Sequence, residues 1–320
     1  MAKTGTAARK RKKKKRLLKT RAAKNIRYGL LYGLLLLIRK MPRQWGIALG
    51  RRLALLYFRI GGKQRKSAVE NLRTAFGREK TEKEIYEMAK NVFLHFGTAA
   101  IDAIRIPVYA EKGMDEMITP RNFHYAKKRL DTGQGIIFLT AHFGNWELMG
   151  AWLASKGYPL RVVATPLSDP RLDRLIVDTR NKAGYFNIAR GKSPKEIIRS
   201  IRKGHSLGFL IDQDTDVKGV FVDFFGKKAH TALGPVVLAA RYDIPLMPAF
   251  MYMKPDMTYV LEFFPPIRLV DTGNPEKDII ANTQKCSDVY EAMIRRYPEQ
   301  WAWMHRRWKK QPGNTLMVNG

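Results

Sequence analysis

Only one of the 320 residues is cysteine, Cys286. A lone thiol closes no internal disulfide and supplies no cysteine-based zinc site; it suits a reducing compartment, with the cytoplasm the default. Nucleotide signatures are missing as well. No GxGxxG occurs, and Gly191-Lys192-Ser193 resembles the end of a phosphate loop but has Phe186 where that loop requires glycine. No His/Cys cluster has metal-ligand spacing, so neither a metal nor a cofactor is expected. There is no GxSxG nucleophile elbow, and Cys286 falls within a helical pattern. Long apolar runs are also absent near the N-terminus. Tyr28 to Ile38 (YGLLYGLLLLI) is uncharged but short of the ~18–20 residues of a spanning helix.

Acidic residues are scarce: 28 against 59 Lys and Arg, a formal charge of +31. Residues 1–27 hold thirteen of the bases and no acid, which leaves 46 against 28 on the remainder, so the excess is global. Such a field attracts nucleic acid, anionic lipid headgroups or acidic proteins, and charge alone does not choose among them. Residues 1–24, with RKRKKKKR at 9–16, can bury nothing and are expected to be a disordered tail. Residues 25–60 read differently. Trp45 to Phe58 is a second apolar segment, broken by Arg51-Arg52, and aromatics stand at 28, 32, 45, 57 and 58. A basic flank with short apolar helices fits a monotopic anchor in the membrane interface. A short spanning helix and a signal peptide compete with it, although the latter lacks a small-x-small cleavage site before Pro42. A basic nucleic-acid-binding protein, the reading from a different class, accounts for the tail but for neither the apolar segment nor the turn described next.

The most informative stretch is Gly135 to Gly150, GIIFLTAHFGNWELMG. Ile136 to Thr140 has the pattern of a buried strand, and it runs into His142, Gly144, Asn145 and then Glu147 at the start of a helix. A strand end that opens into a helix N-terminus is where an α/β sheet exposes side chains between rigid flanks. The spacing HxxxxE offers a base, His142, and a carboxylate, Glu147, that can hold its other ring nitrogen. With no nucleophile in view, the attacking group would come from the substrate. The competing reading is a structural histidine capping the helix.

After this block strands and helices alternate: strands over 159–164, 186–189 and 206–211, helices over 171–182 and 194–203. The pattern predicts an α/β fold with a mostly parallel central sheet flanked by helices, preceded by the membrane-associated helical segment. Helices are expected over 63–75, 81–104 (with Thr81 and Glu84 as a capping box), 121–130, 236–242 and 275–297, and strands near 246–252 and 259–263. One domain over 61–310 and a tail over 311–320 complete the organisation. Asp212-Gln213-Asp214 falls at a strand end, and no element is assigned to 219–235.

Four blocks, in order, resemble one family: NLRTAFG (71–77), AHFGNWE (141–147), DQD with VFVDFFGKKAHTALGP (212–235), and PEQWAWMHRRWK (298–309). Over about 27–310 the chain resembles the lipid A late acyltransferases (lauroyl/myristoyl type) of the lysophospholipid acyltransferase superfamily. Glu at 147 in place of Asp agrees with that branch. The resemblance implies transfer of an acyl chain from acyl carrier protein, or coenzyme A, to a hydroxyl of a lipid A precursor, an anionic glycolipid, at the cytoplasmic face of the inner membrane. A mannolipid or a lysophospholipid is the alternative acceptor, and no nucleic acid is expected. His142 would deprotonate the acceptor hydroxyl and Glu147 would orient His142. The family's arginine matches Arg180 best, with Arg190 close behind. Asn145, Arg190, Asp212, Asp214 and Arg306 make up the expected substrate-binding set.

Overall fold

The computed structural model describes residues 25–26, 28–189 and 194–312. The expected tail over 1–24, Arg190 and nearly all of the 311–320 tail therefore lie outside the described residues. Nine strands and eleven helices are described. The strands are β1 (Ile118–Arg121), β2 (Ile137–Thr140), β3 (Leu160–Ala164), β4 (Phe186–Ala189), β5 (Ser206–Leu210), β6 (Gly219–Phe224), β7 (Lys227–Ala232), β8 (Leu246–Met253) and β9 (Tyr259–Phe263). Seven of them form one sheet in the order β1-β9-β8-β2-β5-β3-β4. The five from β8 to β4 run parallel, while β9 is antiparallel to β8 and carries β1 parallel to itself. β2 lies inside the sheet and is buried along its whole length, as expected of a strand covered on both faces.

The helices are α1 (28–40), α2 (Arg43–Ile60), α3 (Gly62–Phe76), α4 (Glu82–Ile104), α5 (Ile106–Lys112), α6 (His124–Asp131), α7 (Trp146–Ser155), α8 (Pro170–Lys182), α9 (Pro194–Arg202), α10 (Gly234–Tyr242) and α11 (Pro275–Arg296). The Thr81/Glu84 capping box opens α4, with both reciprocal bonds formed. Two expectations change. The basic helix expected from Arg121 begins at His124, because residues 118–121 pair with β9, an edge position where Pro120 removes no ladder bond that the sheet needs. The unassigned stretch 219–235 is mainly a hairpin, β6–β7, closed by Phe225-Gly226 with both residues at positive φ (53° and 69°). Phenylalanine is an unusual choice there. Its ring is buried against Phe76, Phe224 and Trp303, and its N–H donates to Glu291 at 2.6 Å.

No helix among the described residues is long and apolar enough to cross a membrane. α2 is fastened to α4. A Cβ on Gly50 would come within 2.4 Å of the Gly97 carbonyl oxygen, so glycine permits the close crossing. Arg43 donates to both oxygens of the buried Asp102 (2.9 and 2.7 Å), which also accepts from the hydroxyls of Tyr109 and Tyr259. The NLRTAFG block fastens the other end of the chain, since Asn71 donates to the carbonyls of Trp303 and His305 and so pins the C-terminal segment to α3.

Candidate active site

β2 and β5 are parallel neighbours, with Thr140 registered against Leu210. Two residues past that pair, at the same end of the sheet, stand His142 and Asp212. His142 Nδ1 lies 2.9 Å from Asp212 Oδ1, and the backbone N–H of His142 donates to Oδ2 at 2.9 Å. The indole N–H of Trp301, 1% exposed, donates to the same Oδ2 at 2.8 Å. Burial by itself would raise the Asp212 carboxyl, but the adjacent imidazole and these donors hold it below the ordinary aspartate value. An ionised Asp212 keeps the proton of His142 on Nδ1, which leaves Nε2 as the basic nitrogen.

This arrangement corrects the expected partnership of His142 with Glu147. The helical turn carries the Glu147 carboxylate to other partners: it accepts from Arg180 Nε at 2.8 Å and Nη2, from the Tyr185 hydroxyl at 2.8 Å and from the Trp146 indole at 3.0 Å. Burial opposes its charge, and Arg180 with the other donors outweighs burial, so its carboxyl is held low. Arg180 lines the cleft, and at least three of its five N–H donors are committed, two to Glu147 and one to Asn187 at 2.7 Å.

The substrate-binding set divides. Asn145, 2% exposed, is structural: its Oδ1 caps α7 by accepting from the Leu148 N–H, while Nδ2 donates to Ala99 O. Asp214 is buried away from the cleft, accepting from the Lys310 backbone N–H and facing His230 Nδ1 at 3.5 Å. Arg306 is exposed and is not part of the cleft lining; its neighbour Arg307 is buried and donates to His230 O and Thr231 Oγ1. Asp212 serves as the histidine's partner, and Arg190 lies outside the described residues. The backbone amides of Gly144 and Asn145, suited in principle to an oxyanion, are taken by Gln300 O and Met251 O. Gly144 sits at φ +57° with Met251 O so near that no Cβ fits. The N–H groups of Trp146 and Glu147, the first two residues of α7, have no acceptor within the helix.

His142, Trp146, Glu147 and Arg180 open on a cleft of about 800 Å³. Much of its lining is apolar, with Phe138, Leu160, Val162 and Leu210 among it, and Gly208 on the same strand as Leu210. Sequence reading missed Trp301, Tyr185 and Asn187 as partners in this network. Trp301 sits in a block already singled out, but nothing in that block's spacing aims it at Asp212. Among the described residues no group of acids, histidines and cysteine could hold a metal ion. The lone Cys286 is buried in α11 with its thiol pushed up to about 12 by burial, which makes it a poor nucleophile.

Residues 11–310 match the family described as bacterial lipid A biosynthesis acyltransferase. Among similar proteins, a lipid A biosynthesis acyltransferase of Haemophilus influenzae is 28% identical over 290 residues, covering 82% of this chain and 87% of that protein. The lipid A biosynthesis lauroyltransferase of Escherichia coli (strain K12) is 26% identical over 292 residues, covering 89% and 93%. A phosphatidylinositol mannoside acyltransferase of Mycolicibacterium smegmatis is 26% identical over 211 residues, covering 65% and 67%, and a counterpart from Mycobacterium tuberculosis is matched over only 56% of its length. With a family match that runs through nearly the whole described structure, the chain belongs to the bacterial lipid A biosynthesis acyltransferase family and is an acyltransferase.

Proposed function

We propose that the enzyme moves a fatty acyl chain from a thioester, carried by acyl carrier protein or coenzyme A, to a hydroxyl of a lipid A precursor at the cytoplasmic face of the inner membrane. The observation that carries this reading is the His142–Asp212 pair at the mouth of an apolar cleft. In the proposed reaction Nε2 of His142 takes the acceptor's hydroxyl proton as that oxygen attacks the thioester carbonyl. Asp212 stabilises the imidazolium that forms. The tetrahedral intermediate then expels the thiolate, which recovers the proton from His142.

Negative charge on the carbonyl oxygen falls to the Arg180 guanidinium and the first-turn amides of α7, since those of Gly144 and Asn145 are taken. The basic surface suits an acidic carrier protein and a phosphate-bearing acceptor alike. The outer faces of α1 and α2 carry exposed Leu30, Leu37, Trp45 and Ile60, which suits an interfacial contact with the bilayer. A mannolipid acceptor is the second reading, favoured by the mycobacterial relatives. Purified enzyme given labelled acyl donors should acylate a lipid A precursor in preference to phosphatidylinositol mannoside or lysophospholipid. Transfer to lysophospholipid alone would sink the proposal.

A further inference from the structure

A second cavity, of about 450 Å³, lies between α2 and α4, away from the cleft. Its floor is apolar, formed by Ile47, Leu55 and Leu94. Its rim is basic, with Arg51, Arg52 and Lys90. Arg51 and Arg52 are exposed, and no side chain among the described residues pairs with either; Lys90 donates to Glu87 at 2.9 Å, which leaves it two further N–H donors. Beside this groove, on the outer face of the same helix, Trp45, Leu56 and Ile60 share one stripe at 71%, 52% and 71% exposure. Large side chains exposed in a row mark a docking surface.

We infer that the α2–α4 groove holds one anionic phospholipid, its headgroup phosphate between Arg51, Arg52 and Lys90 and the start of an acyl chain along Ile47, Leu55 and Leu94. This rests on the proposed interfacial contact and adds a defined headgroup site to it. A soluble phosphate would leave the apolar floor exposed to water. An acidic protein would leave the Trp45–Ile60 stripe uncovered, whereas a lipid in the outermost layer of a bilayer satisfies groove and stripe together. At the Gly50–Gly97 crossing the two helices come too close to admit a ligand, so the groove is closed off there.

The test uses the full chain and vesicles of phosphatidylcholine with or without phosphatidylglycerol, at about 0.5 M salt, where screening reaches within about 4 Å and the polybasic tail contributes least. The paired substitution Arg51→Ala/Arg52→Ala should weaken binding to the anionic vesicles roughly tenfold. Arg59→Ala/Lys63→Ala, which removes the same charge outside the groove, should cost less than about twofold. Leu94→Trp, which fills the groove and leaves every charge, should also weaken binding, with circular dichroism and thermal midpoint confirming the fold of each variant. Equal losses from both charge pairs mean diffuse attraction and overturn the site. Protection by 50 mM inorganic phosphate in place of lipid overturns it too, as does a loss confined to acyl carrier protein binding. If no variant and not even Trp45→Ser/Leu56→Ser changes vesicle binding, it is the interfacial contact itself that fails.

Discussion

His142 and Asp212 occupy equivalent positions just beyond the ends of adjacent parallel strands, each two residues past the register pair Thr140–Leu210. Their 2.9 Å contact therefore follows from the register of the two strands that deliver them. A dyad this close to two buried strand ends, its carboxylate also held by the His142 N–H and the Trp301 indole, has little freedom to misalign.

His142→Ala should nearly abolish turnover in a folded protein. Asp212→Asn should cost about 10²–10⁴ in kcat with little change in KM, because an amide no longer fixes the tautomer or stabilises imidazolium. Steady-state kinetics on both variants, with circular dichroism as control, checks this. Near-normal turnover of Asp212→Asn would remove Asp212 from the proton path.

Glu147 and Arg180 pose a different question, because they form a largely buried ion pair whose guanidinium faces the same cleft. Removing one charge leaves the other uncompensated, at about 3–5 kcal/mol for a buried pair. Glu147→Gln and Arg180→Lys should each lower the thermal midpoint and the activity, since lysine cannot reproduce the bidentate fork. The double variant Glu147→Gln/Arg180→Gln should recover most of the midpoint. If turnover recovers with it, the pair is scaffold. If kcat stays low on a stable protein, the N–H donors of Arg180 act on the reacting oxygen.

These two cases show how much of the site was legible in the sequence. Strand, turn and helix around His142 follow from local apolar periodicity, and the parallel sheet follows from alternation, so the position of the histidine between β2 and α7 is legible. Its hydrogen-bond partner, Asp212, is not. Which strand adjoins β2 is decided by the crossover β3–α8–β4–α9 and the return of β5 to the middle of the sheet, which no local pattern encodes. HxxxxE reads as a pair in one dimension, but the first turn of α7 swings Glu147 toward α8. The hairpin over 219–232 escaped because its turn uses Phe225 at positive φ, where glycine or asparagine would have announced it.

His95 on α4 is 8% exposed, touches the Gly144 carbonyl at 3.3 Å, and is pushed down to about 4 by burial, against the hydrogen bond that raises it. Its folded form thus stays neutral while the unfolded chain takes up a proton below about pH 6.5. The unfolded state then binds more protons, so stability falls as pH drops from about 6.5 to about 4, by up to about 1.4 kcal/mol per pH unit for this one group. His95→Gln should reduce the slope of unfolding free energy against pH in that window without abolishing it, since burial also holds His205, His230 and His305 below their usual values. Chemical denaturation at pH 7, 6 and 5 measures it, and an unchanged slope would refute the assignment.

Acyl-chain length should be read by the wall of the cleft where β5 lies beside β3. Gly208 lines that wall, and a Cβ there would meet Val162 at 3.1 Å and Leu160 at 3.9 Å, ordinary or slightly tight contacts that a modest shift absorbs. Larger side chains would project into space now open to an acyl chain. Each methylene denied burial costs about 0.8 kcal/mol, roughly fourfold in relative kcat/KM. Gly208→Val should therefore shift preference toward shorter acyl donors, with the loss growing as the donor lengthens while the shortest donors react nearly as before. A uniform fall across all lengths would instead mean that the substitution disturbed β5 and with it Asp212, which stands four residues further along the same strand's path. Competition between donors of different length in one reaction, with products resolved by mass spectrometry, separates the two outcomes because a general loss of activity cancels in the product ratio.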